Sequence, residues 1–166
     1  MIKIIFKIKK SSLYLKGLKK QLLMLSNSSK YAIKAVLYLA LNSSEEKRVM
    51  VKDIAAPINV PQAYLAKLLQ ELSRAHVISS VKGPKGGFYL SQANRLGTLM
   101  DIVSVIDGET RLHSCVLSLE KCDAEKPCPL HKLISPTKTN FLKHLTEKSI
   151  DEFSQDVKSG ASFLPL

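Results

Sequence analysis

The sequence predicts a mainly α protein with a small β-wing, a winged helix-turn-helix head followed by further helices. Two stretches carry that reading. Over residues 49–77 a short helix, a tight turn and an amphipathic second helix follow one another. Directly afterwards, two short strand candidates flank Lys82-Gly83-Pro84-Lys85-Gly86-Gly87, where three glycines and a proline in six residues make a turn able to reach positive φ. A β-hairpin attached to a helix-turn-helix is a wing.

Each element has its own signal. Ser28 is read as the N-cap of a first helix of about 14 residues, because Tyr31, Ala32, Ala35, Val36, Leu39 and Ala40 recur at helical spacing up to Asn42. Residues 43–48 are a polar connector. Val51 to Ala56 is a short helix stopped at Pro57, Ile58-Asn59-Val60 is the turn, and Pro61 is expected at the first position of the second helix. Leu65, Leu68, Leu69 and Leu72 mark the buried face of that helix. Gln62, Tyr64, Ala66, Lys67 and Gln70 lie off it. The strand candidates are 78–81 and 88–91. Thr98 then caps a helix with Asp101 in the capping-box position, ended by Asp107-Gly108, where the cysteine loop begins. Beyond His131 the apolar positions are Leu133, Phe141, Leu142 and Leu145. Pro136 among them either opens a fresh helix or bends a longer one. Ser149-Ile150-Asp151-Glu152 is a capping box for a last helix to about Lys158, and the tail from Ser159 is expected to fray.

Composition narrows the class. At 166 residues the chain can hold one domain with a core, or a small domain with an appendage. It contains no apolar run long enough to span a bilayer. Without Trp it offers no aromatic platform for sugars or bases. The net charge of +11 points to a polyanionic partner. The seven lysines of residues 1–23, with no acid among them, account for all but +4 of it. That first segment lacks the unbroken apolar core of a signal peptide. As a helix it is basic and amphipathic, suited to an anionic lipid surface or a DNA-binding arm. Met24 precedes a helix start directly, so residues 1–23 are expected to be a start-site artefact or a disordered tail. No Ser/His/Asp set, phosphate loop or paired carboxylates indicate catalysis, and the chain is not expected to be an enzyme.

All three cysteines fall in one stretch, Cys115, Cys122 and Cys128, followed by His131 in the spacing C-x6-C-x5-C-x2-H. An odd, clustered set is no secreted disulfide framework and implies a reducing, cytoplasmic setting. Three soft thiolates and an imidazole suit an iron–sulfur cluster or zinc; redox-active thiols are a third reading. Structural zinc sites usually pair ligands in short steps, and here only Cys128 and His131 are close. His113 is a nearby competitor, read as a solvent-exposed loop residue.

On the nucleic-acid side, Gln62 and Lys67 of the second helix are candidates for base edges. Lys30, Lys82 and Lys85 are candidates for phosphate.

The order helix, helix-turn-helix, wing, helix, cysteine loop, helix resembles the bacterial winged-helix regulators of the iron–sulfur cluster regulator / nitric-oxide-sensitive repressor family (IscR/NsrR-like). The carriers are Lys30-Tyr31-Ala32, Asp53-Ile54-Ala55, Tyr64-Leu65, the run from Ser80-Val81-Lys82-Gly83-Pro84 to Phe88-Tyr89-Leu90, and the three cysteines with Pro129-Leu130-His131. The likeness spans about residues 24–158. It implies a homodimer on a double-stranded DNA operator, with a C-terminal dimerisation helix packed against its twin. It also implies a cluster held by Cys115, Cys122 and Cys128 that controls DNA affinity. His131 stands where the cluster regulator has its fourth ligand, which favours [2Fe–2S]; [4Fe–4S] with another ligand is the other branch's pattern. With Tyr31, Tyr64 and Gly83 of the matching motifs added to the residues above, the DNA-binding candidates are Lys30, Tyr31, Gln62, Tyr64, Lys67, Lys82, Gly83 and Lys85.

The implied organisation is an extension (1–23), a DNA-binding head (24–97), a cluster-binding and dimerisation part (98–158) and a tail (159–166). The expected function is cluster-dependent transcriptional regulation, sensing iron–sulfur status, oxygen or nitric oxide. A zinc- or thiol-based DNA regulator is the alternative, and a small electron carrier a remote one. The chain departs from the pattern at His76, where the family usually has a glycine closing the recognition helix, and at Pro57 and Pro136. It also departs at Ala66, where the cluster regulator carries an acid facing DNA.

Overall fold

The computed structural model describes residues 25–115, 117 and 123–166. The expected extension (1–23) and Cys122 therefore lie outside the described residues. Helix α1 spans Asn27–Asn42, and its N-cap is Ser26, whose Oγ accepts the Ser29 N–H at 3.0 Å. Ser28, expected as the cap, is already inside the first turn. Only Ser26 has the extended backbone (φ −65°, ψ 164°) that lets a side chain reach forward to the third helical N–H.

The helix-turn-helix consists of α2 (Val51–Ile58) and α3 (Gln62–Arg74). Pro57 does not stop α2, which runs on to Ile58. The ring forfeits one N–H, while Ile54, Ala55 and Ile58 on the buried face hold the last turn against the core. The stop is Asn59, left-handed at φ 56°, with its N–H on the Ala56 carbonyl and the Val60 N–H on Ala55. Pro61 is the N-cap of α3 rather than its first residue, where its missing N–H is equally harmless. Leu65, Leu68, Leu69 and Leu72 are buried as the spacing predicts.

Helix α3 closes in a Schellman motif. His76 takes φ 59°, its N–H bonds the Ser73 carbonyl, and the Val77 N–H bonds Leu72. A histidine thus occupies the left-handed position that the family's glycine would fill.

The wing is the antiparallel pair β1 (Ser79–Val81) and β2 (Gly87–Tyr89), with Ser79 opposite Tyr89 and Val81 opposite Gly87. Its second strand ends earlier than expected because Ser91 leaves the sheet to cap α4 (Gln92–Arg95). Val49 adds a third rung that sequence reasoning missed, exchanging two 2.9 Å hydrogen bonds with Phe88. Two glycines are sterically required. A Cβ on Gly86 would lie 2.2 Å from the Val81 carbonyl oxygen, and one on Gly87 2.7 Å from that of Val49.

Beyond the wing come α5 (Leu99–Asp107), α6 (Glu109–His113), α7 (His131–Glu147) and α8 (Ile150–Lys158). The capping boxes at Thr98/Asp101 and Ser149/Glu152 both form. At the second, hydrogen bonds from the Ser149 backbone and hydroxyl hold the Glu152 carboxyl below its ordinary range. A short helix, α6, precedes the cysteine segment, which does not follow Gly108 directly. Pro136 lies inside α7, so of the two readings the chain takes the single continuous helix. Leu133 does not face inward but is 70% exposed; the inward residues are Phe141, Leu142 and Leu145. The tail is anchored rather than frayed, because Leu164 is buried in the core.

One core unites these helices. Helix α1 packs against α2, α3, α5 and α8. Leu39, Ile54, Leu65, Leu69 and Leu72 from the head join Ile102, Val103 and Ile150 from beyond residue 97, all fully buried. Burial of such side chains stabilises by about 1.5–3 kcal/mol each. The packing runs straight across residue 97. No helix among the described residues is long and apolar enough to cross a membrane.

Candidate metal centre and nucleic-acid interface

The cysteine segment joins α6 to α7. Cys115 follows α6 and is buried; Cys128 is half-buried, and its carbonyl accepts the His131 N–H at 2.9 Å where α7 begins. The two sulfurs are 3.6 Å apart. That is far beyond a disulfide of about 2.0 Å. It is close to the spacing of about 3.8 Å expected of two tetrahedral ligands at about 2.3 Å from one metal. Cys115, Cys128 and His131 line one crevice, closed on the α7 side by Ile134, Ser135 and Lys138. The crevice is small, about 10 Å³.

Among the described residues no three such donors complete a metal-binding group. The third cysteine of the predicted set, Cys122, is outside them. The chemistry of the donors suits a soft metal centre: two sulfurs stand at a spacing compatible with tetrahedral ligation, and His131 lines the same crevice. His113, the sequence competitor, is exposed at the end of α6 and does not line the crevice.

Several of the nucleic-acid candidates line a separate cleft, which shares no residue with the thiol crevice. Between α3 and the wing lies a cleft of about 650 Å³, to which Gln62, Lys82 and Gly83 all contribute. Ser73 of α3 and Ser80 of β1 tie its two walls together through a 2.7 Å hydroxyl hydrogen bond. Lys67 and Lys85 are exposed and do not line this cleft. Tyr64 is 38% exposed. It is held from α1, its hydroxyl 2.7 Å from Ser28 Oγ and its ring edge-on to Tyr31 at 6.2 Å. Lys30, half-buried, stands beside that contact on α1. The structure thus gathers Gln62, Lys82 and Gly83 along one cleft, and joins Tyr31 to Tyr64 in a second contact next in sequence to Lys30.

Two basic residues were missed. Lys52 at the start of α2 and Arg74 at the end of α3 line the same cleft. A positive charge at each outer end of the helix-turn-helix was the available signal.

A family model described as Rrf2, iron-dependent transcriptional regulator, matches residues 25–156. A protein of Aquifex aeolicus (strain VF5) bearing the name of an HTH-type transcriptional regulator is 35% identical over 133 residues, covering 77% of this chain and 91% of its own. The HTH-type transcriptional regulator IscR of Pectobacterium atrosepticum is 31% identical over 126 residues, covering 74% of this chain and 75% of its own. Among solved structures, CymR, the global cysteine regulator of B. subtilis, superposes with a TM-score of 0.66 at 20% identity, over 81% of this chain and 98% of its own. At that identity the likeness shows the winged-helix fold alone. The sequence matches reach further, because they span both the head and the cysteine segment: the chain belongs to the Rrf2 family, and is a DNA-binding transcriptional regulator rather than an enzyme.

Proposed function

We propose that this regulator reads its signal through an iron–sulfur cluster held by Cys115, Cys122, Cys128 and His131, with [2Fe–2S] the favoured form and [4Fe–4S] the other. The observation that carries this reading is the 3.6 Å approach of the Cys115 and Cys128 sulfurs in a crevice shared with His131. The family's description as iron-dependent and the 31% identity to IscR support it. When bound, such a cluster supplies a centre whose charge and integrity change with oxidant, iron supply or nitric oxide. The chain's own residues supply the rest. Cys115 is fixed by α6 and Cys128 by the start of α7, so the ligand set spans two elements whose relative position it can govern.

On the DNA side, α3 is the helix for the major groove, with Gln62 and Lys67 at base edges. Lys30, Lys82 and Lys85 meet phosphate, joined by Lys52 and Arg74. Gly83 lets the wing tip come close to the backbone, and Tyr31 and Tyr64 complete the surface between α1 and α3. The working form is a homodimer in the cytoplasm, with α7 packed against its twin. Its exposed Leu133 fits that face, and the operator is then a pseudo-palindrome with half-sites about one helical turn apart.

A zinc-held or thiol-based regulator is the second reading, because the small volume of the crevice and the spacing of its two sulfurs also suit a single zinc ion. One experiment separates them: the visible spectrum with iron and sulfide analysis of anaerobically purified protein, repeated on His131→Ala. A coloured protein with about two irons and two sulfides per chain, lost or spectrally changed in His131→Ala, is expected. A colourless, iron-free, zinc-bearing product ends the cluster reading and leaves the DNA-binding one intact.

A further inference from the structure

Among the described residues, Lys138 brings the ammonium that lines the thiol crevice. It lies seven residues, about two turns, beyond His131 on α7, so both side chains come from one face of the helix with Ile134 and Ser135 between them. Its ammonium donates to the Ser114 carbonyl oxygen at 2.6 Å, a bond across 24 residues to the position just before Cys115. An ammonium–carbonyl bond is charge-assisted and stronger than a neutral one. A lysine would ordinarily extend into water, and holding four methylenes in place costs side-chain entropy. The half-buried, inward placement therefore has to be matched by what the ammonium meets at its tip.

We propose that Lys138 is a positioning residue of the metal centre, acting in two ways. It ties the backbone ahead of Cys115 to α7, which keeps the Cys115 sulfur within reach of Cys128. It also brings one positive charge to a set of thiolates, and so raises the reduction potential of whatever redox centre they hold. The second effect follows from charge. Reduction adds one electron, the reduced centre is the more anionic, and a nearby cation stabilises it more than the oxidised form. The inference rests on the cluster reading above.

The test uses full-length protein purified anaerobically, with Lys138→Met, Lys138→Gln and Lys138→Arg beside the wild type. Iron and sulfide content, thermal melting and redox titration are measured for each. Lys138→Met removes both tie and charge; it should lose cluster content and lower the potential. Lys138→Gln keeps a donor for the Ser114 carbonyl without the charge, so it should retain the cluster but show a lower potential. The expected size is a roughly tenfold smaller reduced-to-oxidised ratio at a fixed potential, about 59 mV for one electron. Lys138→Arg keeps both features and should restore the wild-type values.

A wild type without iron and sulfide overturns the cluster reading and this inference together. A cluster-bearing wild type whose Met and Gln variants keep its potential overturns this inference alone. Equal losses of cluster and melting temperature in all three variants also overturn it, since they would mark Lys138 as an ordinary structural contact.

Discussion

At the scale of single residues, the sharpest feature is a histidine in a glycine's place. His76 closes the recognition helix with φ 59°, a conformation that costs an L-residue about 1–2 kcal/mol. Its carbonyl is still used, accepting from Asn94 Nδ2 at 2.8 Å, but its side chain is exposed. His76→Gly should therefore keep every backbone bond of the Schellman motif while removing the strain. Glycine's greater freedom in the unfolded chain offsets part of the gain. We expect a net stabilisation of about 0.5–1 kcal/mol, read as a higher urea midpoint at unchanged slope. A lower midpoint would mean that the imidazole makes a contact worth more than the strain. Asn59 is in the same conformation at φ 56° and gains less from glycine, because asparagine tolerates it.

At the scale of elements, the wing shows what local sequence can and cannot specify. The glycine-rich turn predicted it, and the geometry gives the reason: Gly86 and Gly87 sit against the Val81 and Val49 carbonyls, where no Cβ fits. The Val49 rung was not legible, since one residue in a polar connector has no period to read. The helix edges at Ser26, Ile58 and Gln62 shifted by one or two residues for a similar reason. Capping depends on which residue's backbone is extended, and several neighbouring serines and prolines fit the pattern equally well. Of the candidate centre, the sequence supplies the donor types, but not the approach of Cys115 to Cys128. The contact between Cys115 and Cys128 depends on where α6 and α7 are held, each packed on α5, which no spacing encodes. Lys138 was invisible for that reason too. The wing's own role is testable. Lys82 and Lys85 are exposed at its tip, so the double change to alanine should weaken binding to duplexes of any sequence. The slope of log affinity against log salt should become shallower by about 0.9 for each phosphate that a lysine no longer neutralises. An unchanged slope would remove these lysines from the interface.

At the scale of the whole molecule, α1 links the helix-turn-helix to the helices beyond the wing, because it packs on α5 and α8 as well as on α2 and α3. Its N-terminus is fixed from the far side of the sequence. The Asp107 carboxylate, 3% exposed, accepts the Ser26 N–H at 3.1 Å. A carboxylate ending α5 stands at the wrong pole of its own helix but at the favourable, positive end of α1. Arg111 of α6 comes within 4.0 Å of the same carboxylate, four residues before Cys115. Two residues into α1, Ser28 holds the Tyr64 hydroxyl of the recognition helix. Asp107 is thus a joint with the cysteine segment on one side and α3 on the other. If the cluster acts on DNA affinity through this joint, Asp107→Asn, which keeps an acceptor but removes the charge, should leave iron content unaltered. It should shrink the difference in affinity between cluster-loaded and cluster-free protein by about 0.5–2 kcal/mol. Anisotropy titrations of both forms on a duplex selected from random-sequence DNA measure it, and Ser28→Ala should act in the same direction, since it cuts the contact at the α3 end. If both variants retain the wild-type difference, α1 is a passive support, and in the proposed dimer the signal passes instead through α7 to the spacing of the two recognition helices.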